Sequence, residues 1–148
     1  MRPATGVESI GPGAVVDLGG RHLELLATPG HAPGHLAVLD RKAGLLFASD
    51  VVHRDHRALL HFAGCDAVEF SHTVDRLVDF RDAGAFDTLM PAHVPLLEGD
   101  ELEILDSFSD ALAGILADDL EYEEVDEGTP ARRYEVDGRV VLTKLDVT

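Results

Sequence analysis

The chain has 148 residues and a mass of 15.9 kDa, which is the size of one domain and leaves no room for a multidomain machine. Its composition, 45% hydrophobic and 27% charged, is that of a folded globular chain rather than a disordered one. With 28 acidic against 12 basic residues, the formal net charge is −16, so the surface repels DNA, RNA and anionic lipid, and nucleic-acid or membrane-surface binding is excluded as a first reading.

Aspartates number 17 against 11 glutamates, and only Lys42 and Lys144 are lysines. An acid-rich, lysine-poor surface is halophile-like, because screening by concentrated salt removes the self-repulsion of such a charge. A codon bias toward Arg, Ala, Gly and Asp gives the same composition. The single cysteine, Cys65, rules out an intrachain disulfide and a thiolate zinc cage and fits a reducing compartment. Met1 to Gly20 lacks a basic start followed by an apolar run, and no apolar stretch approaches a membrane span, so the expected location is the cytoplasm.

In chain order, residues 14–18 and 21–27 flank Gly19-Gly20 as a hairpin. A second hairpin joins Leu36–Asp40 to Leu45–Ser49 through the turn at 41–44. Its second strand, Leu45-Leu46-Phe47-Ala48, is apolar without alternation and is expected to be covered on both faces. Asp66 opens a helix with Glu69 three places on, a capping-box pattern, and Gly84 is its natural stop. A strand over 86–90 follows, then a second helix from near Asp100, with Glu103 three places on. Between Asp118 and Glu127 seven of ten residues are acidic, which reads as a solvated connector. Residues 132–136 and 140–145 flank Asp137-Gly138 as a terminal hairpin. The whole chain, 1–148, is expected to form a single α/β domain.

Three residues of metal-ligand type follow three strand ends. His31 comes after strand 21–27, Asp50 directly after strand 45–49, and His93 after strand 86–90. Sites in α/β folds collect beyond the carboxyl ends of strands. Two imidazoles and a carboxylate arriving there suit zinc, iron or manganese. Pro29-Gly30 before His31 permits the sharp bend that returns the next side chain over the sheet edge.

The segments Thr28-Pro-Gly-His31-Ala-Pro-Gly-His35, Leu46-Phe-Ala-Ser-Asp50 and Met90-Pro-Ala-His93 resemble, in order and spacing, the later metal motifs of the metallo-β-lactamase superfamily. The resemblance covers roughly Val15 to Thr143. It implies the C-terminal half of an αββα sandwich, with a mixed sheet, two helices on one face and a C-terminal hairpin. It also implies a metal-dependent hydrolase of a small-molecule ester, thioester or lactone, with one or two zinc ions. His31 would bind one metal, Asp50 would bridge two and His93 would bind the second. Phe62-Ala-Gly-Cys-Asp66 and Ala131 to Gly138 look loosely like the glyoxalase II and acyl-homoserine lactonase branches.

The family hallmark H-x-H-x-D-H is not among these 148 residues, so the chain carries three of seven usual ligands. A water held between two metals loses its lowered pKa when the metals lose their ligands. The chain is therefore expected to be an N-terminally truncated part of such a hydrolase, incomplete on its own, or else a non-catalytic remnant or interaction module that keeps the fold. His53-Arg54-Asp55-His56 holds the tail of the hallmark, H-x-D-H, and His61 lies close by. These histidines read either as replacement ligands or as solvated loop and crevice residues. His35 reads as a packed, hydrogen-bonded residue, His22 and His72 as lying away from the site, and Cys65 as an apolar filler. Two helices cover one sheet face only, so the other is expected to meet a second copy of the chain or a separate N-terminal half.

Overall fold

The computed structural model describes residues 8–146. The first seven residues of the segment read for a leader lie outside them. Among the described residues, ten strands form two sheets that share one core with two α-helices. In the first sheet, β1 (Val15–Asp17) and β2 (His22–Ala27) pair antiparallel across Gly19-Gly20, both at positive φ. Next come β3 (Leu36–Asp40) and β4 (Leu45–Ser49), again antiparallel. β4 then pairs parallel with a later strand, β6 (Thr88–Pro91), and β7 (Leu97–Glu98) closes the edge.

The second sheet is built from β5 (Arg57–Leu60), β8 (Glu123–Asp126), β9 (Pro130–Val136) and β10 (Arg139–Thr143), in the order β5-β10-β9-β8. β9 and β10 form the terminal hairpin around Asp137 and Gly138, both left-handed as a two-residue I′ turn requires. β5 was not foreseen from sequence. It pairs parallel with β10, Leu60 opposite Thr143. The acidic stretch read as a connector is mostly exposed, and Glu123–Asp126 within it are an edge strand. Their partners are the arginines of β9, with Glu123 opposite Arg133 and Glu124 opposite Arg132, and opposite charges across a ladder offset the acidic run.

Helix α1 (Ala67–Asp82) starts where the pattern placed it, with the Asp66 carboxylate accepting from the Glu69 N–H at 3.0 Å. It ends at Gly84, whose φ of +71° no β-carbon favours. The second helix begins with a 3₁₀ turn, Gly99–Glu103, and becomes α2 at Ile104–Leu116. Its capping box is Glu98 with Glu101 rather than Asp100 with Glu103.

Leu39, Leu46 and Leu89 are register partners on one face of the first sheet and fully buried. They join one core with Phe70, Val74 and Leu77 of α1 and Leu105, Phe108 and Leu112 of α2. The opposite face carries Val38, Phe47 and Met90, also register partners. Phe47 is 38% exposed, so the expectation that β4 is covered on both faces does not hold within this chain: the helices lie on one side of it. No helix among the described residues is long and apolar enough to cross a membrane.

Candidate metal centre

β4 and β6 run parallel, so the loops leaving their carboxyl ends emerge side by side. Ser49 pairs with Pro91 across a register irregularity, and Ser49 itself has φ +48°. An irregularity of this kind kinks a strand and re-aims the next side chain. The Ala92 N–H donates to the Ser49 carbonyl at 3.0 Å and ties the two loops together. Asp50 and His93 thereby meet, with Nε2 of His93 2.9 Å from Oδ1 of Asp50.

That contact has the length of a hydrogen bond without its alignment. Oδ1 of Asp50 is buried and has no hydrogen-bond partner. A buried carboxylate oxygen left in this way carries a desolvation cost that only a cation or a donor relieves. Two ligand atoms on one metal, with bonds of about 2.0–2.2 Å meeting at roughly 90–110°, stand about 2.9–3.5 Å apart. The Asp50–His93 contact falls on that spacing, so the pair fits the neighbouring ligands of a metal ion.

His53 stands beside them. Its ring lies 4.4 Å from that of His93, tilted by 46°, and ligand atoms of Asp50, His53 and His93 all lie within 4.8 Å of one another. The main chain holds His53 in place: its N–H donates to the Arg57 carbonyl at 2.8 Å, and the Arg57 N–H returns to the His53 carbonyl at 3.4 Å. The short loop so closed contains Asp55 and His56, both left-handed.

His31 lies outside this triplet. It follows Gly30, whose φ is +119° and whose missing β-carbon leaves room for Phe70: a methyl there would meet the Phe70 backbone at 2.4 Å. Nδ1 of His31 lies 2.9 Å from the Leu59 carbonyl. A carbonyl only accepts, so Nδ1 carries the proton and the neutral ring offers Nε2 as a lone pair. Histidine metal ligands are held in this way, through the other nitrogen on a carbonyl. A carbonyl role for Leu59 leaves no trace in a side-chain pattern.

His35 is packed and hydrogen-bonded, as the sequence implied. The Asp50 N–H donates to its Nε2 at 3.3 Å, which places the proton on Nδ1, 2.7 Å from the Thr28 hydroxyl. Burial, then the neighbouring His31, pushes its pKa below the ordinary histidine value. His61 is only 5% exposed, neither ring nitrogen has a hydrogen-bond partner, and its ring packs on Phe62. With His53, Arg57 and Glu127 it lines a pocket of about 220 Å³ beside the triplet. Nδ1 of His56 faces Arg139 at 3.4 Å, while His22 and His72 are exposed on β2 and α1. Cys65 is buried, donates to the His31 carbonyl, and has its thiol pKa raised by that burial, the environment of an inert cysteine.

Two histidines and a carboxylate gathered at strand ends of an α/β fold form a donor set of metal-ligand type. A family model described as the Metallo-beta-lactamase superfamily matches residues 2–122, and the chain belongs to that superfamily. Acyl-coenzyme A thioesterase MBLAC2 of Gallus gallus is 29% identical over 103 residues, 70% of this chain and 37% of that protein. The Homo sapiens protein of the same name is 29% identical over 104 residues, with the same coverage of 70% and 37%. The chain thus spans little more than a third of the length of these curated relatives. Among solved structures, the metallo-beta-lactamase family protein TTHA1429 from Thermus thermophilus superposes with a TM-score of 0.61 at 22% identity, over 78% of this chain and 38% of that one. TTHA1623 in a di-iron-bound form superposes with a TM-score of 0.51 at 25% identity, over 68% of this chain and 47% of that one. The fold is therefore that of the metallo-β-lactamases.

Proposed function

We propose that this chain carries part of the active site of a metal-dependent hydrolase acting on an ester, thioester or lactone. The observation that carries the reading is the buried Oδ1 of Asp50, 2.9 Å from Nε2 of His93 yet without a hydrogen bond to it. In this reading Asp50 and His93 hold one metal, zinc first, with iron or manganese as alternatives. His31, its proton fixed on Nδ1 by Leu59, offers Nε2 to the neighbouring position. When bound, such a metal would polarise a substrate carbonyl as a Lewis acid and would bring the pKa of the water it holds down toward neutrality.

The chain's own residues do the rest. His35 fixes the main chain at Asp50. The pocket beside His53, lined by Phe62 and the buried His61 ring, takes the acyl side of the substrate. The relatives named as acyl-coenzyme A thioesterases favour a thioester within the class.

A second reading rests on the hallmark H-x-H-x-D-H, which these 148 residues lack: a non-catalytic module that keeps the fold and a partial metal site. The open face around Val38, Phe47 and Met90 then serves, in either reading, to meet a second copy of the chain or a separate N-terminal half. Thiol release from an acyl thioester, followed with and without added zinc, separates the two. Release that depends on metal and is abolished by Asp50→Ala supports the hydrolase. Metal uptake with no release supports the module.

A further inference from the structure

We propose that His53 is a resident metal ligand, so that Asp50, His53 and His93 together hold one divalent first-row transition metal within this chain. The inference rests on the metal-site reading above and adds a ligand that the strand-end pattern of His31, Asp50 and His93 does not contain. Three features carry it. The ligand atoms of the three residues lie within 4.8 Å of one another. Oδ1 of Asp50 is buried and, though 2.9 Å from Nε2 of His93, has no hydrogen-bond partner. The His53 main chain is pinned by its two hydrogen bonds with Arg57, so its ring reaches His93 without a long flexible arm.

Two imidazoles and one carboxylate make a ligand set suited to zinc or ferrous iron, with positions left open for water or substrate. One metal is the stoichiometry this set supports. It relieves Oδ1 of Asp50, which two histidines in their neutral form do only by donating along an aligned N–H.

The competing role for His53 is mechanical: its ring packs against His93 at 4.4 Å and keeps that side chain in place. His53→Phe separates the two roles, because it keeps an aromatic ring and removes both nitrogens. The experiment titrates the purified chain with Zn²⁺ and Co²⁺, using calorimetry for stoichiometry and affinity and visible absorption for the cobalt ligand field. The wild type is expected to bind one equivalent that is retained by His31→Phe. His53→Phe is expected to weaken that equivalent by at least about tenfold and to alter the cobalt spectrum, in step with Asp50→Asn and His93→Phe. Circular dichroism verifies that each variant is folded. Unchanged affinity and spectrum in His53→Phe, with loss in Asp50→Asn and His93→Phe, would overturn the role of His53 and leave the Asp50–His93 site standing. No specific binding by the wild type would overturn both.

Discussion

Nε2 of His35 accepts the main-chain N–H of Asp50 at 3.3 Å, while Nδ1 of the same ring meets the Thr28 hydroxyl at 2.7 Å. One imidazole therefore joins the end of β2 to the end of β4, the two strand ends that present His31 and Asp50. Because the Asp50 contact is to the main chain, His35 is a positioning residue and touches neither metal nor substrate. His35→Ala is expected to lower zinc affinity by about 10–100-fold, the usual cost of losing a group that orients a ligand. His35→Gln, whose side-chain oxygen can accept from the same N–H, is expected to recover part of it. Zinc titration of the two variants against Asp50→Ala checks the order. A merely structural role for His35 would lower thermal stability in both variants and leave the affinity of the folded fraction unchanged.

Gly30 sets the approach of α1 to the loop that carries His31. Its φ of +119°, and the 2.4 Å that would separate a methyl at this position from the Phe70 backbone, leave no conformation that accepts a side chain. The Asp66 N–H donates to the Gly30 carbonyl at 2.7 Å and the Thr73 hydroxyl to the Pro29 carbonyl at 2.8 Å, which hold the two segments together. Gly30→Ala is expected to destabilise the fold by about 2–4 kcal/mol, combining a strained backbone with overpacking. Urea denaturation followed by circular dichroism reads this directly. A midpoint equal to the wild type would contradict the close approach.

The two helices are clasped by Arg81 of α1 and Asp106 of α2 in a two-pronged pair, with Nη2 to Oδ1 at 2.9 Å and Nη1 on Oδ2. Arg81 also donates to the Leu102 carbonyl at 3.2 Å. The guanidinium holds the Asp106 carboxyl below its ordinary pKa. The Asp106 side chain is 44% exposed, so solvent screens the pair and limits its worth. Arg81→Ala is expected to cost about 1–2 kcal/mol, and Arg81→Lys roughly half of that, since an ammonium keeps the charge and loses the fork. Equal midpoints for Arg81→Lys and wild type in urea would show that the fork geometry is worth nothing here.

Local chemistry made much of this fold legible. Gly19-Gly20 and Asp137-Gly138 announce their hairpins because they take φ values that other residues avoid, and Asp66 with Glu69 announces α1 because an N-cap carboxylate accepting from the first turn is a side-chain hydrogen bond that the sequence itself encodes. β5 escaped because Arg57-Ala-Leu-Leu60 is short, has no β-branched residue, and pairs parallel with a strand far along the chain, so no turn marks it. β8 escaped because its acidic side chains are balanced by Arg132 and Arg133 across the ladder, a relation invisible within the segment itself. At the site, strand-end position was enough to bring Asp50 and His93 under consideration together. The place of His53 depends on a loop that folds back through main-chain bonds to Arg57, and composition carries no record of that.

The His61 imidazole makes stability depend on pH. Burial, the larger cause, and the nearby His31 push its pKa below the ordinary 6.5, while Glu127 opposes them. Between the lowered folded value and about 6.5 the unfolded chain therefore binds more protons than the folded one, and stability falls as pH falls through that window. Above it the contribution is fully present. Urea midpoints measured from pH 7.5 down to 5 are expected to decline in the wild type and to decline less steeply in His61→Gln, which has no group titrating there. Parallel pH profiles for the two proteins would remove His61 as a cause.

The net charge of −16 acts on the fold and on association in the same direction. Each chain repels itself when compact, and two chains repel one another as they approach, with a screening length of roughly 10 Å at 0.1 M salt and about 3 Å at 1 M. The melting temperature is accordingly expected to rise as NaCl goes from 0.02 to about 1 M. The apolar face bearing Val38, Phe47 and Met90 has no comparable dependence on charge, so added salt removes the barrier to contact while leaving the attraction of burying Phe47, now 38% exposed, in place. Light scattering at the two salt concentrations is expected to show a larger mass in high salt, reduced by Phe47→Ser. A monomer that persists on dilution and concentration in both salts, with the same mass in Phe47→Ser, would show that this face does not bring copies of the chain together.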